Sequence, residues 1–218
     1  MQTVYFISGL GADKRAFAFL NLSFCKPIFI EWIVPLPKET MASYAGRLKA
    51  VITEPNPILV GLSFGGMLAT EMAKTDPTLK AILISSNKTA SEFPFWLRLG
   101  KYFPIYKWMP GSVTKSRPAF RFFCWMLGAK TEKGKKLLWQ IIQDTDIPFS
   151  QWVIEAIMQW GNDVIPPNIT HIHGKADRLL PYYLIKNPNY TIPTGGHSMV
   201  MAYAKEISGL LKVLIDKP

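Results

Sequence analysis

The stretch ILVGLSFGGMLATEM, residues 58–72, confines the chain more than any other. A short run of branched apolar residues passes through Gly61-Leu62-Ser63-Phe64-Gly65-Gly66 straight into a segment with helical spacing. A strand can enter a helix that abruptly only if the central residue takes a strained backbone conformation and the side chains two positions to either side are very small. Glycine stands at both of those positions, 61 and 65. Such a turn lifts the Ser63 hydroxyl above the carboxyl edge of a sheet, beside a helix N-terminus whose free N–H groups favour developing negative charge. G-x-S-x-G alone recurs by chance, but between a buried strand and an amphipathic helix it reads as a nucleophile elbow.

The rest of the chain supplies the sheet. Apolar runs recur at 3–8, 27–34, 57–62, 80–85, 168–173 and 189–193, each continuous rather than alternating, as in strands buried on both faces of a parallel sheet. Between several of them lie helical patterns. Over 39–52, Met41, Tyr44, Ala45, Leu48 and Ile52 share one face, and a last helix is predicted over 198–215. Strand alternating with helix implies an α/β fold with right-handed crossovers.

From Lys88 to Trp160 the alternation stops. No convincing strand appears, and the segment holds 15 of the 28 aromatic residues. A structureless loop of that length is improbable, so 88–160 is predicted to be a mostly helical cap inserted between core halves 1–87 and 161–218. Phe95, Trp96, Trp125 and Trp152 are its candidate substrate-binding side chains, and its Lys and Arg read as a solvated face.

Composition narrows the function classes. With 49% hydrophobic and 18% charged residues, 218 residues suit one sizeable core. Lys and Arg number 25 against 15 Asp and Glu, but they are scattered without a nucleic-acid-binding motif, so no nucleic-acid partner is expected. No run approaches the length of a membrane span. MQTVYFISGLG reads as a buried strand rather than a signal peptide, and Cys25 and Cys124 as reduced thiols, which together predict a cytoplasmic protein.

A serine hydroxyl needs a base, usually a histidine oriented by a carboxylate. His197 lies in TIPTGGHSMV, after the last predicted strand, and Asp177 follows the strand NITHIH. Both belong to the same carboxyl edge as Ser63.

Through GLSFGG, HGKADRLLP, GGHSMV and SGLGAD (8–13) the chain resembles the α/β-hydrolases over most of its length. That family orders nucleophile, acid and base as Ser63, Asp177 and His197 stand here. The resemblance implies a mostly parallel sheet of about six strands, in the order 2-1-3-4-5-6, with flanking helices and a helical cap. The usual first two strands have no counterpart. It also implies an oxyanion hole made by the backbone N–H groups of Leu10 and Phe64, and no cofactor. The family often has His-Gly where this chain has Ser8-Gly9, and His where it has Leu62, which bears on substrate class rather than mechanism. Some members carry the acid after the preceding strand, where Glu92 is the alternative to Asp177.

His171 and His173 share a strand face, as H-x-H ligands to a metal do. The longer H-x-H-x-D-H pattern is absent, since Lys175 and Ala176 follow, and no metal is expected. The function predicted is hydrolysis of a small or medium apolar carboxylic ester or thioester. Alternatives are a cofactor-free lyase, C–C hydrolase or perhydrolase on the same fold, or a ligand-binding protein without turnover.

Overall fold

A computed structural model describes residues 1–100, 102 and 104–216, apart from the side chains of 105 and 106. Six strands, β1 (Thr3–Ile7), β2 (Lys26–Phe29), β3 (Ile58–Leu62), β4 (Lys80–Ile84), β5 (Ile169–Gly174) and β6 (Tyr190–Ile192), form one sheet in the order β2-β1-β3-β4-β5-β6. Every pairing is parallel. The helices are α1 (Met41–Leu48), α2 (Phe64–Thr75), α3 (Phe95–Leu99), α4 (Gly111–Thr114), α5 (Arg117–Leu127), α6 (Glu132–Asp144), α7 (Ile147–Gln159), α8 (Met199–Ala202) and α9 (Ala204–Asp216).

The continuous apolar runs have a direct explanation. Tyr5, Ile7, Leu59, Ala81 and Leu83 belong to one core, packed with α1 and α2. Their strand neighbours Val4, Phe6, Ile58, Val60, Ile82 and Ile84 belong to a second core, packed with Phe17 and with Ile207, Leu211 and Leu214 of α9. Successive strand side chains point to opposite faces, so both cores demand apolar residues at every position.

Two elements differ from the sequence reading. The second strand stops at Phe29 instead of reaching 34, and Trp32 leaves the sheet edge to pack on Phe64 at 5.7 Å between ring centroids. The predicted 198–215 helix is two helices, broken at Tyr203 (φ −120°, ψ 35°). The Tyr203 hydroxyl is engaged by the Thr194 hydroxyl and carbonyl and by Lys130 Nζ, contacts that no helical periodicity reveals.

Between β4 and β5 the described residues form helices α3 to α7 and no strand. Positions 101 and 103, inside the 88–160 range, lie outside the described residues. Local sequence sets the helix ends. Ser116 caps α5 through Ala119 N–H, with Pro118 in the first turn, and Gly128 terminates it at φ +68°. Asp146 caps α7 through Phe149 N–H. Val153, Ala156 and Trp160 root α7 in the first core, and Trp160 Nε1 donates to Glu71 Oε1 at 2.7 Å.

Candidate active site

Ser63 sits between β3 and α2 at φ 51°, ψ −117°, a left-handed conformation that costs a non-glycine residue about 1–3 kcal/mol. Neighbouring close approaches hold it there. A Cβ on Gly61 would stand 2.5 Å from Gly65 O, and one on Gly65 would overlap the Ile7 and Ser8 carbonyl oxygens. Ser63 N–H donates to Ile84 O at 2.9 Å, and Ser86 Oγ donates to Ser63 O at 2.6 Å.

The loops after β5 and β6 meet over this turn. A Cβ on Gly174 would overlap Gly195 O, and the N–H groups of Lys175 and Ala176 donate to Ile192 O and Gly195 O at 3.0 and 2.9 Å. This stitching sets His197 Nε2 at 2.9 Å from Ser63 Oγ and His197 Nδ1 at 2.8 Å from Asp177 Oδ2. A carboxylate only accepts, so Nδ1 carries the proton and Nε2 is left to accept from the serine hydroxyl. Asp177 Oδ1 accepts from the N–H groups of Leu179 and Leu180, both at 2.9 Å. Burial pushes the Asp177 carboxyl up, but the charge and hydrogen bond of His197 and the Leu180 N–H outweigh it, and it lies below its ordinary 3.8. Serine, histidine and aspartate thus form one hydrogen-bonded line, with Ser63 half-buried and the other two buried.

His173 and His171 extend beneath that line. His173 Nε2 donates to Leu180 O at 2.9 Å and lies 3.7 Å from Asp177 Oδ2, while its Nδ1 is 3.3 Å from His171 Nε2. Burial drives both imidazoles below their usual value, His171 well below. The rings meet edge to face, at an interplanar angle of 80°, rather than converging on a third ligand. Among the described residues no group of three or more His, Cys, Asp or Glu is placed to hold a metal ion.

Glu92 is buried and otherwise engaged. Its Oε2 accepts from Lys88 and Thr89 N–H and its Oε1 from Lys186 N–H at 2.7 Å, so it works as a hub for the segment after β4. His197 pairs with Asp177 instead.

Leu10 lies in the loop after β1, and Phe64 opens α2. Among the described residues neither N–H donates to a protein acceptor. A Cβ on Gly9 would lie 3.3 Å from Ser63 Cβ, so the Leu10 loop passes directly beside the serine. Two side chains grip this loop from outside: Trp32 Nε1 donates to Ala12 O at 2.7 Å, and the single hydroxyl proton of Thr145 is shared between Gly11 O at 2.9 Å and Ile141 O at 2.7 Å. Beyond it opens a cavity of about 730 Å³, with an apolar wall of Trp32, Pro35, Leu36, Pro148, Phe149 and Trp152 and a charged rim of Asp13, Arg15, Lys38, Asp144 and Asp146; Ser63, Asp177 and His197 are not among its walls.

Of the four aromatic candidates, Trp152 lines this cavity and packs on Tyr44 and Phe64. Phe95, Trp96 and Trp125 do not line it; they are 73%, 51% and 58% exposed. Trp125 lies instead beneath the Arg178 guanidinium, 4.9 Å from its ring centroid. Sequence reasoning missed Trp32, Ser86 and Thr145. Trp32 lies inside the run read as a strand over 27–34, and none of the three carries a local signal, because each acts on a backbone carbonyl distant in sequence.

The model of the alpha/beta hydrolase family matches residues 4–209. No curated protein matches the chain. Among solved structures, an esterase from Thermogutta terrifontis superposes with a TM-score of 0.74 at 15% identity, covering 100% of this chain and 90% of that one. An esterase from Exiguobacterium antarcticum gives 0.73 at 13%, covering 100% and 92%. A lipase-esterase related protein from Clostridium acetobutylicum gives 0.71 at 17%, covering 97% and 93%. At such identities the likeness is one of fold.

Proposed function

The chain belongs to the alpha/beta hydrolase family, and on that premise we propose that it is a serine hydrolase of small or medium apolar carboxylic esters or thioesters, working without a cofactor. The observation that carries this reading is the continuous line from Ser63 Oγ through His197 to Asp177, at 2.9 and 2.8 Å.

In this mechanism Ser63 Oγ attacks the acyl carbon as His197 Nε2 takes the hydroxyl proton, and Asp177 fixes the imidazole tautomer and supports its positive form. The oxyanion is held by the N–H groups of Leu10 and Phe64, which have no protein acceptor among the described residues. When the bond to the leaving group breaks, His197 returns the proton to the departing alkoxide or thiolate. Water, deprotonated by His197, then attacks the acyl-enzyme, and the released Ser63 oxygen recovers its proton. No step changes an oxidation state.

The segment 88–160 is assigned the role of cap. Its α6–α7 turn and Trp152 wall the 730 Å³ cavity beside the Leu10 loop, which has room for a medium acyl or alkyl chain. A cytoplasmic setting belongs to the same proposal. No described helix is long and apolar enough to cross a membrane.

A fluorophosphonate probe tests the assignment: the wild type should label and Ser63→Ala should not. A panel of p-nitrophenyl esters from acetate to decanoate should be turned over by the wild type and only residually by His197→Ala. Equal labelling of the wild type and Ser63→Ala, or equal turnover with and without His197, refutes the mechanism.

A further inference from the structure

Between Glu92 and Glu132 the chain carries seven Lys or Arg, eleven aromatic residues and no acid, in a protein of net charge +10. The structure turns much of this span outward. No residue of α5 is buried, and Pro118, Arg121, Phe122 and Trp125, spaced i, i+3, i+4 and i+7, all face solvent. Phe120, Phe123, Cys124 and Leu127 form the half-buried stripe of the helix, so Phe122 and Trp125 put aromatic rings on the face that an ordinary amphipathic helix keeps polar. Phe122 is 54% exposed and its ring lies 6.0 Å from that of Trp125. Trp108, 77% exposed, and Val113 add apolar surface just before this helix. Among the described residues no carboxylate lies within ion-pairing distance of Arg98, Arg117 or Arg121.

We propose that α5 and the residues leading into it form a peripheral docking surface for an anionic lipid bilayer. Phe122 and Trp125 enter the interface, and Arg117 and Arg121 sit at the level of the headgroups. Aromatic side chains beside basic ones suit that boundary, where rings lie at headgroup depth and each basic residue adds attraction to acidic lipid. Charge argues against a second copy of this chain as the occupant, because joining two such faces sets Arg against Arg. Exposed rings beside arginines are also what single-stranded nucleic acid stacks on, but Val113 and Pro118 add ringless or saturated apolar surface that suits acyl chains, and vesicle flotation against RNA retention separates the two.

The surface abuts the proposed active site. Arg178, next to Asp177, donates to Trp125 O at 2.6 Å, and Ser198, next to His197, donates its N–H and hydroxyl to Leu127 O at 2.8 and 2.9 Å. An ester partitioned into the bilayer would therefore meet the enzyme beside its catalytic loops; this consequence, unlike the docking itself, rests on the hydrolase reading.

Flotation of the full chain with phosphatidylcholine vesicles, with and without phosphatidylglycerol, tests the proposal. The wild type should float with the mixed vesicles, lose binding as salt rises, and show a blue shift in tryptophan emission. Arg121→Glu should weaken binding on the order of tenfold or more, and Phe122→Ser about tenfold, with circular dichroism and melting temperature unchanged because both side chains are exposed. Equal flotation with neutral and anionic vesicles, no flotation with either, or variants that float like the wild type would overturn the proposal. So would retention of single-stranded RNA in place of vesicles, or a dimer that Phe122→Ser dissolves. Flotation needs no ester turnover, so docking and hydrolysis fail or stand separately.

Discussion

The Ser86 hydroxyl donates to the carbonyl oxygen of Ser63 at 2.6 Å, tying the segment just after β4 to the strained turn that presents the nucleophile candidate. Ser86 is fully buried, and the Ser63 carbonyl also accepts from the Gly66 and Met67 N–H groups. Ser86→Ala therefore leaves the carbonyl partly satisfied and should cost about 1 kcal/mol in urea denaturation. Ester turnover should fall up to about tenfold at nearly constant KM, since the substrate meets no Ser86 atom while the attacking oxygen is less well held. An unchanged kcat would show that the glycines alone hold the turn.

Gly65→Ala makes the opposite kind of demand. Its new Cβ would overlap the backbone oxygens of Ile7 and Ser8, which no rotamer change relieves. Overpacking against rigid backbone costs about 1–3 kcal/mol or more, and here the displaced segment carries the Leu10 loop. The variant should melt well below the wild type and lose fluorophosphonate labelling. A folded variant that labels at the wild-type rate would contradict the close approach.

These contacts show what a sequence reveals and what it hides. Strands β3 and β4 are legible because each residue has one of two cores to enter, so the pattern carries the burial. The turn at Ser63 is legible because Gly61 and Gly65 answer a backbone constraint local in sequence. The order of Asp177 and His197 indicates which loops meet Ser63, and the structure brings the three side chains into one line. Long-range side-chain-to-backbone bonds leave no such trace. Nothing near Thr145 marks it as a partner of Gly11, 134 residues away, and nothing near Tyr203 announces a break between α8 and α9. Glu92 shows the converse: its place after β4 suits an acid, yet three backbone N–H groups occupy it.

Acid stability should fall in two stages. His171 and His173 titrate below 6.5 in the fold, so below that pH the unfolded chain binds protons that the folded chain refuses, and stability declines by up to about 1.4 kcal/mol per pH unit for each imidazole. Asp177 is depressed below 3.8; its contribution is complete above that value and is lost as pH falls through the folded value. Denaturant titrations from pH 8 to 3 should show the first decline beginning near 6.5. Asp177→Asn should remove part of the second and leave the first. A flat profile between pH 6.5 and 4.5 would mean that the buried pair takes up protons as readily as the unfolded chain.

The Leu10 loop is held by Trp32 Nε1 on Ala12 O and Thr145 Oγ1 on Gly11 O. Thr145→Val keeps the shape and removes the donor; Trp32→Phe keeps an aromatic ring and removes the N–H. If this loop supplies an oxyanion donor, each change should lower kcat more than it raises KM, within the about 10²–10³ lost when such a donor is removed outright. The two should combine less than additively in a double-mutant cycle, because they restrain adjacent carbonyls of one loop. A pure KM effect would assign them to the cavity wall instead.

The last turn of α5 touches the residue after the acid and the residue after the base. Arg178 reaches Trp125 O at 2.6 Å, and Ser198 reaches Leu127 O twice. Gly128 makes this possible: at φ +68° it lets the chain turn away, and a Cβ there would press on Gly196 Cα at 3.2 Å, next to His197. Arg178→Gln and Ser198→Ala should each lower kcat several-fold, on the order of 1 kcal/mol for a lost hydrogen bond. Because both bonds end on one rigid turn, the pair should show a coupling energy of at least about 0.5 kcal/mol, whereas sites restrained independently would add. Gly128→Ala should reproduce the double variant's loss of kcat without touching either donor, since it moves the acceptor turn itself. Full additivity of the pair, together with a normal Gly128→Ala enzyme, would show that the loops hold their own geometry and that α5 merely rests on them.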